Sequence, residues 1–555
     1  MNTAISGRPG TEPQMMTSVR MPHVRGEGRV VLVGFQEQEN LGLGYLAATL
    51  RREGRTVMIV DFQEDHRTIL EVIRREQPIV VGFSLIFQFY VHRFGELIRY
   101  LRANGIDCHF TIGGHFPSLS YQHALELIPE LDSVVRFEGE ATLVELVDTI
   151  EAGGDWRFLL GIAFKSGGEV IANALRPLVR DLDDLPYPER SYRPMAVLGR
   201  KALPILASRG CVRTCSFCSI HVFYRAAPGK VVRTRKPAEI VREMRMLHDE
   251  RGITIFLFQD DDFPLFGPVW QRWTREFIAE LYRAGLARKM IWKINCRADA
   301  VDPVLFAEMK EAGLYYVYMG LESGSEDGLE TLNKDITVAE NLRAVEILKS
   351  LGLVYEFGFM LFDPSTTFDS VRDNVAFLRQ IAGDGSASAA FCRMLPYDGT
   401  PIKDVLAKEG RLKGDVCDPD YDYLDPRVDE YFQALTGLLR LTGWIHGNPG
   451  LSPQLKFAWN EYGIMERLFP GLPDIQDYKK ALKSVTAASN AMLFQVIEDI
   501  SYAITEGRPH DWTSDRLRSE GARFIDQFRE ARDGFVLRNQ DVFRAALAER
   551  EAVSA

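Results

Sequence analysis

The chain contains the stretch Ser208-Arg209-Gly210-Cys211-Val212-Arg213-Thr214-Cys215-Ser216-Phe217-Cys218-Ser219, in which three cysteines are separated by three and then two residues. Three thiolates this close cannot all pair with one another, and structural zinc sites and electron-transfer clusters usually have four ligands. A four-iron cluster held by three cysteines leaves one iron open to a small bidentate ligand. Two other interpretations stay open, which are a partial zinc knuckle completed by His221 and three unrelated buried cysteines.

The cysteine spacing resembles the CxxxCxxC signature of the radical S-adenosylmethionine (SAM) superfamily, including the aromatic Phe217 before the third cysteine. This resemblance implies that Cys211, Cys215 and Cys218 ligate a [4Fe-4S] cluster and that Phe217 lies in the cofactor site. It also implies that the open iron binds the amino and carboxylate groups of SAM. One-electron reduction then yields a 5′-deoxyadenosyl radical, so an electron donor such as flavodoxin or ferredoxin is expected.

Composition indicates a large enzyme of a reducing compartment. A length of 555 residues predicts three or four domains. The apolar runs are all shorter than the roughly 18 residues that span a bilayer, and a net charge of −11 argues against general nucleic-acid binding. Only seven cysteines occur, three of them in one loop, which fits a cytoplasmic location. Residues 1–26 lack an apolar core and are predicted to be a disordered leader.

Residues 27–185 are predicted to form a first domain. Apolar runs at 29–35, 56–62, 78–87, 108–115 and 133–140 alternate with segments of helical periodicity. Such alternation predicts an α/β fold with a doubly wound parallel sheet, whose ligand crevice lies at the carboxyl ends of the strands. Residues 161–173 read as a hairpin turning at Ser166-Gly167-Gly168, and the proline-containing segment DLDDLPYPER marks a linker.

The order of these pieces resembles the cobalamin (B12)-binding domain found upstream of some radical SAM enzymes. The matching pieces are LGLGYLAATLRREG after strand one, VVGFS at strand three, IGGHFPS after strand four and RFEGEATLVEL after strand five. The glycines would let the corrin and its nucleotide tail approach the backbone. The resemblance implies that cobalamin is bound by Leu41, Gly42, Ser84, Gly113, Gly114, His115, Phe116, Glu138, Gly139 and Glu140.

One departure from the classical cobalamin proteins concerns the lower face of the cobalt. Their D-x-H-x-x-G motif would fall after strand one, where residues 35–42 contain no histidine. Cobalamin is therefore expected to bind without a protein imidazole on that face. Arg67, after strand two, is a candidate to approach the lower face, and the competing interpretation places it on the surface of a helix.

Residues 186–405 are predicted to form an incomplete parallel barrel of six β-α units. Its strands are expected at 202–208, 253–261, 290–299, 315–323, 354–362 and 389–395. The radical SAM resemblance implies that Glu322, with Ser323, holds the SAM ammonium group and that Arg297 pairs with its carboxylate. It further implies that Asp260 or Asp261 contacts ribose or substrate and that Leu395 packs on adenine. The segment GFMLFDPSTTFDS replaces the G-x-P-G-E-T pattern frequent at strand five.

Residues 406–555 are predicted to form a C-terminal helical domain, because their apolar residues recur at helical spacing without a strand rhythm. This domain is expected to cover the open end of the barrel. Trp444, Trp459 and Tyr462 are candidates to shape a substrate pocket there, and core packing is the competing interpretation for each.

The two resemblances together imply a cobalamin-dependent radical SAM C-methyltransferase, which uses SAM both as methyl source and as radical source. A monomer acting on an unactivated or aromatic carbon of a natural-product-type small molecule is expected, with a peptide as the other substrate class. Three alternatives stay open. They are a cobalamin-dependent cyclase or rearrangement enzyme, a polar methyl donor that does not cleave SAM, and a cobalamin-sensing protein with a degenerate barrel.

Overall fold

The computed structural model describes residues 28–36, 40–445 and 450–545, and the predicted leader lies outside the described residues. The first sheet has the order β2-β1-β3-β4-β5-β6-β7, with β1 to β5 parallel and β6 and β7 antiparallel. Its strands are β1 (Val30–Gly34), β2 (Val57–Asp61), β3 (Val80–Ser84), β4 (His109–Gly113), β5 (Ser133–Val135), β6 (Ile162–Ser166) and β7 (Glu169–Ala172).

Helices cover both faces of this sheet. They are α1 (Leu41–Arg52), α2 (His66–Glu76), α3 (Val91–Ala103), α4 (His115–Leu119), α5 (Tyr121–Leu127) and α6 (Glu140–Glu151). Val31 and Val33 of β1 enter one core, while Val30 and Leu32 enter the other, which is why the strands read as continuous apolar runs. From β1 the chain adds β2 on one side of the sheet and then β3, β4 and β5 on the other side. A ligand crevice is expected at the carboxyl ends of β1 and β3, where this change of side occurs.

The second sheet has the order β16-β15-β14-β13-β12-β9-β8, in which β8 alone is antiparallel to its neighbour. Its strands are β8 (Met195–Val197), β9 (Arg200–Ile205), β12 (Ile253–Phe258), β13 (Ile291–Cys296), β14 (Leu314–Glu322), β15 (Val354–Phe362) and β16 (Cys392–Arg393). A separate short ribbon is formed by β10 (Ser208–Arg209) and β11 (Arg233–Thr234). The six parallel strands form the predicted partial barrel, although the sequence indicated neither β8 nor the ribbon.

Eight helices accompany this sheet among the described residues. They are α7 (Ser219–Ala226), α8 (Pro237–Arg251), α9 (Gly267–Arg283), α10 (Pro303–Ala312), α11 (Glu326–Thr331), α12 (Val338–Leu351), α13 (Phe368–Ala382) and α14 (Pro401–Lys408). Trp292 of β13 packs edge-on against Phe277 of α9, with ring centroids 5.5 Å apart. The face of the second sheet that carries Trp292 is therefore its outer, helix-covered face, and alternate residues lie on its inner face.

The C-terminal part contains α15 (Pro426–Thr442), α16 (Leu451–Leu468), α17 (Ile475–Glu506) and α18 (Ser514–Arg538). The sequence indicated helices only, but a hairpin of β17 (Leu412–Gly414) and β18 (Pro419–Tyr421) precedes them. Helix α16 packs against β13, β14 and β15, and Asn460 on it accepts a 2.9 Å hydrogen bond from Tyr315 near the start of β14. The helices thus cover the amino ends of these strands. No helix in the described ranges has the length and apolar character of a bilayer span.

Candidate active site

The cysteine loop lies between β10 and α7 and is fixed to the segment after β14. The backbone N–H of Ser216 donates to the Leu332 carbonyl oxygen at 2.9 Å, and the Ser216 hydroxyl donates to the carbonyl oxygen of Thr331 at 2.8 Å. His221 donates through Nε2 to the carbonyl oxygen of Cys215 at 3.0 Å. His221 therefore has a backbone partner at Nε2.

The three thiols suit a cluster better than a single ion. Within the described residues, no three His, Cys, Asp or Glu side chains converge closely enough to hold one metal ion. Burial raises the pKa of Cys211 and of Cys218, and the nearby charge of Cys215 raises both pKa values further. Three soft ligands spread around a loop match an iron–sulfur cluster, which is larger than a zinc ion.

Aspartates follow β12, as predicted, but they differ in what they contact. Asp260 accepts hydrogen bonds from the Ala207 N–H at 3.2 Å and from the Ser208 hydroxyl at 2.5 Å. Burial raises the pKa of Asp260 to about 7 in spite of these bonds. Asp261 instead faces the large cavity described below and accepts from the Gly210 N–H at 2.9 Å. The structure therefore brings Asp261 to the cavity and keeps Asp260 beneath the cysteine loop.

Arg297 follows β13 and lies beside the cysteines. Its Nη1 is 3.7 Å from the Cys215 sulfur, its Nε donates to Asp299 at 3.0 Å, and its Nη2 donates to the carbonyl oxygen of Lys334 at 2.6 Å. This guanidinium is buried and has a carboxylate partner already. Arg297 therefore lies beside the cysteine loop, and its pairing with the SAM carboxylate stays a prediction.

Glu322 ends β14 in a left-handed backbone conformation with φ +67°. That conformation is strained for a residue with a side chain, and such strain concentrates at functional sites. Its carboxylate forms a buried ion pair with Lys334, 3.0 Å away. Ser323 donates to Asn374 at 3.2 Å and is fully buried. Lys334 was missed by the sequence analysis because nothing in its local pattern distinguishes it from a loop lysine.

Two other residues were predicted for the SAM site, Leu395 and Phe217. Leu395 is 38% exposed, which leaves its side chain available to a ligand. Phe217 is half-buried against the core of the second sheet.

A cavity of about 540 Å³ lies between the carboxyl ends of the first sheet and the cysteine loop. Both sheets and their connections contribute its walls. The lining residues are Phe35, Asn40, Leu41, Gly42, Tyr45, Leu46, Ser84, Ile86, Gly114, His115, Phe137, Glu138, Gly139, Glu140, Leu206, Ser208, Arg209, Phe223, Tyr224, Gln259 and Asp261. Eight of the ten residues predicted for cobalamin are among them. Tyr45, Arg209, Phe223 and Tyr224 were not anticipated.

A smaller cavity of about 70 Å³ adjoins the large one, and it is lined by Gly113 together with Leu32, Gly82 and Leu143 among others. Gly114 lies between the two with φ +110°, and a Cβ there would overlap the carbonyl oxygen of Leu85. This backbone can only be glycine, and it leaves the cavity wall flat. Such a bare wall would let a flat corrin ring approach the backbone closely.

Two cobalamin predictions are wrong in detail. Arg67 points into solvent with 82% of its side chain exposed and pairs with Glu71 at 3.0 Å, because it lies on the outer face of α2. The competing surface interpretation therefore holds for Arg67. Phe116 is 4% exposed and belongs to the core beneath α4 rather than to the cavity wall. The spacing of the IGGHFPS segment does not reveal which of its side chains turns inward.

His115 reaches the cavity as predicted. Its ring packs against Phe223, with centroids 4.5 Å apart. Burial lowers the pKa of His115 to about 4, so the imidazole is neutral. Its Nε2 has no hydrogen-bond partner among the described residues, and such an orphaned buried atom is one that a bound ligand can satisfy.

Glu138 and Glu140 form a buried ion network with arginines next to the cysteine loop. Arg209 lies 3.1 Å from Glu138 and 2.7 Å from Glu140, and Arg233 lies 2.9 Å from Glu138. Burial alone would raise the pKa of Glu138, but Arg209 and Arg233 together lower it. These glutamates therefore join the first sheet to the cysteine loop, in addition to lining the cavity.

Family comparisons agree with this division of the site. Residues 29–147 match the model of the B12 binding domain, and residues 205–378 match that of the Radical SAM superfamily. The chain is a B12-binding radical SAM protein. Its membership makes it an enzyme whose cofactors are a [4Fe-4S] cluster, SAM and cobalamin.

Relatives of this B12-binding radical SAM protein are named for different reactions. It is 29% identical to an uncharacterised methyltransferase of Pyrococcus horikoshii, over 65% of this chain and 77% of the relative. It is 31% identical to the anaerobic magnesium-protoporphyrin IX monomethyl ester cyclase of Cereibacter sphaeroides, over 65% of this chain and 59% of the relative.

A solved structure shares the whole architecture. It is the radical SAM methyltransferase TsrM from Kitasatospora setae with tryptophan substrate and a SAM analogue bound. The TM-score is 0.62 at 18% identity, and the match covers 92% of this chain and 100% of that one. At this identity the likeness establishes the fold: a B12-binding domain, a partial barrel and a helical C-terminal region.

Trp444, Trp459 and Tyr462 do not shape a substrate pocket as the sequence suggested. All three side chains are buried in the hydrophobic core. Trp459 donates to Thr486 at 3.2 Å, and Tyr462 donates to Glu466 at 2.6 Å. The competing interpretation, core packing, applies to each of them.

Proposed function

We propose that this enzyme is a C-methyltransferase that modifies an unactivated or aromatic carbon of a small molecule and uses SAM both as methyl source and as radical source. The observation that carries the proposal is the large cavity shared by the two cofactor domains. Its walls come from the B12-binding domain on one side and from Arg209, Tyr224 and Asp261 beside the cysteine loop on the other.

When bound, the cluster and SAM supply a carbon-centred radical and cobalamin supplies a methyl group. The chain holds and separates these groups. Cys211, Cys215 and Cys218 ligate the cluster in this proposal. Glu322 with Lys334 and Arg297 bind the polar groups of SAM, and Leu395 packs on its adenine. The glycine-rich loops at Gly42, Gly113, Gly114 and Gly139, with Leu41, Ser84 and His115, hold the corrin.

The walls of the cavity suit chemistry that must exclude water. Tyr45 and Tyr224 are 4% and 8% exposed, and the Arg209 guanidinium lies over the Tyr45 ring at 4.9 Å. The buried network of Arg209, Glu138 and Glu140 fastens the two domains on either side of the cavity. Buried walls of this kind limit the access of water to a radical formed beside them.

Cyclisation without methyl transfer is the second candidate, and the likeness to the magnesium-protoporphyrin ester cyclase favours it. The likeness to the archaeal methyltransferase favours methyl transfer. We also propose a small-molecule substrate, a monomeric enzyme, a cytoplasmic location and reduction by a flavodoxin or ferredoxin.

Anaerobic reconstitution with iron, sulfide and hydroxocobalamin tests the proposal. The reconstituted enzyme is reduced and supplied with SAM that carries a trideuterated methyl group, and S-adenosylhomocysteine and 5′-deoxyadenosine are quantified. Methyl transfer predicts S-adenosylhomocysteine that forms only when cobalamin is present, and a radical step predicts 5′-deoxyadenosine. Methyl transfer also predicts a product that has gained one trideuterated methyl group, whereas 5′-deoxyadenosine formed with a product that carries no label would indicate cyclisation or rearrangement.

A further inference from the structure

A group of charged and aromatic side chains lies on the inner face of the second sheet, away from the cysteines. We call it the inner-face cluster: Lys293 of β13, Tyr316 and Tyr318 of β14, Glu356 of β15 and Lys456 of α16. Lys293 is on the inner face because its neighbours Trp292 and Ile294 are fully buried on the other side. Side chains of Glu356 and Lys456 are 24% and 25% exposed, so water reaches the cluster.

The cluster has more hydrogen-bond donors than acceptors. Glu356 is fully engaged, since it pairs with Lys456 at 2.7 Å and accepts from the Tyr316 hydroxyl at 2.6 Å. Lys293 places its ammonium 5.7 Å from the Tyr316 ring centre and 5.8 Å from that of Tyr318. Within the described ranges, neither Lys293 Nζ nor the Tyr318 hydroxyl has a hydrogen-bond partner. Two lysines thus face one carboxylate, which leaves one positive charge and two free donors.

Two glycines make room for the side chains above the cluster. Gly320 and Gly358 are paired in register on β14 and β15, and they alternate with Tyr318, Glu322 and Glu356 on the inner face. A Cβ on Gly358 would lie 2.6 Å from the Tyr318 hydroxyl oxygen. The paired glycines therefore make room for the Tyr318 hydroxyl and for the Glu322 carboxylate, which lies over both of them.

We propose that the inner-face cluster is a subsite for an anionic group of the substrate, a carboxylate or a phosphate, held by Lys293 and Tyr318. This inference rests on the proposed small-molecule methyl transfer and names the substrate class. Lys293 precedes Arg297 by four residues, which corresponds to about 13 Å along a strand. The anionic end then lies deep in the barrel, and the carbon to be modified lies nearer the cofactors. SAM itself uses the upper position beside Arg297.

Equilibrium binding of small fluorinated probes tests this subsite without turnover. The cluster- and cobalamin-loaded enzyme with SAM is titrated with 4-fluorobenzoate, 4-fluorophenyl phosphate and neutral 4-fluorobenzamide, each followed by fluorine NMR. A charge-assisted hydrogen bond to Lys293 predicts that one of the two anions binds about tenfold or more tightly than the amide. Which anion is preferred distinguishes a carboxylate substrate from a phosphate substrate.

Variants assign the preference to the cluster. Lys293→Met and Tyr318→Phe are expected to reduce it, Lys293→Arg to retain it, and the exposed control Lys289→Met to leave it unchanged. Equal or absent binding of anions and amide by the wild type, or an undiminished preference in Lys293→Met, would overturn the inference. Cobalamin-dependent formation of S-adenosylhomocysteine is measured on the same samples. Formation of S-adenosylhomocysteine without an anion preference overturns only this subsite. An anion preference without formation of S-adenosylhomocysteine overturns only the proposed function.

Discussion

Replacing Arg209 by methionine removes the cation that joins the B12-binding domain to the cysteine loop. The side chains of Arg209, Glu138 and Glu140 are 10%, 6% and 7% exposed. Glu138 keeps Arg233 as a partner in the variant, whereas Glu140 has no other ion-pair partner in the described part of the chain. The variant therefore buries one unpaired carboxylate.

Two opposing contributions set the size of the change in the free energy of unfolding. Removing one partner of a buried ion pair costs about 3–5 kcal/mol. Glu140 is the first residue of α6, and the helix dipole stabilises a carboxylate at that position by about 0.3–1 kcal/mol. We expect Arg209→Met to lower the free energy of unfolding by about 2–4 kcal/mol. The exposed pair of Arg242 with Glu239 is the control, and Arg242→Met should cost about 0–1 kcal/mol.

Equilibrium urea unfolding followed by circular dichroism measures both variants. The double variant Arg209→Met/Glu140→Gln should regain most of the loss, because it removes the unpaired charge as well as its partner. Cobalamin affinity, measured by absorbance titration, should fall in Arg209→Met since Arg209 and both glutamates line the cavity. A loss no larger than that of Arg242→Met, or no recovery in the double variant, would refute the reasoning.

Three further predictions address the cofactor sites and pH. Cys215→Ser should abolish both the cluster absorbance and SAM cleavage, whereas the exposed Cys392→Ser should retain them; equal effects would contradict the cluster assignment. Gly114→Ala should weaken cobalamin binding about tenfold or more through backbone strain and overlap with Leu85. Gly54→Ala also has a positive φ but nothing within 4 Å of its Cβ, so an equal loss there would exclude the overlap. Burial lowers the pKa of His109 to about 4. The contribution of His109 to the free energy of unfolding therefore decreases as pH falls from about 6.5 toward 4, by up to about 1.4 kcal/mol per pH unit. His109→Asn should flatten the pH dependence of urea unfolding by about one proton, and an unchanged slope would contradict this.

The elements that the sequence predicts well are those whose apolar pattern is decided locally. Strand β1 reads as an apolar run because Val30 to Val33 enter cores on both faces, and α8 ends at Gly252, which adopts the left-handed conformation expected of a stop signal. Strand β16 is limited to Cys392–Arg393, although six of the seven residues at 389–395 are apolar. Phe391 and Met394 on either side of it pack in the core outside the assigned strand, and an apolar pattern alone cannot separate these outcomes.

Some residues of the candidate site can be predicted from the sequence, and others are found only in the structure. The cysteine triad and the glycine-rich loops are visible as motifs, because backbone geometry requires those residue types at fixed spacing. Arg209 and Tyr224 were missed because their partners are distant in the chain, and Lys334 because its local pattern is that of an ordinary loop lysine. Arg67 was placed wrongly for a related reason, since only the packing of α2 determines which face of that helix meets solvent.

The central claim is that one cavity holds cobalamin within reach of the cluster. Electron paramagnetic resonance of the reconstituted protein, with cobalt as cob(II)alamin and the cluster reduced, tests it most directly. The account predicts that the two paramagnets interact, so that reducing the cluster broadens or splits the cobalt signal and Cys215→Ser abolishes the effect. A cobalt spectrum indifferent to the state of the cluster, or a protein that binds no corrinoid, would contradict it.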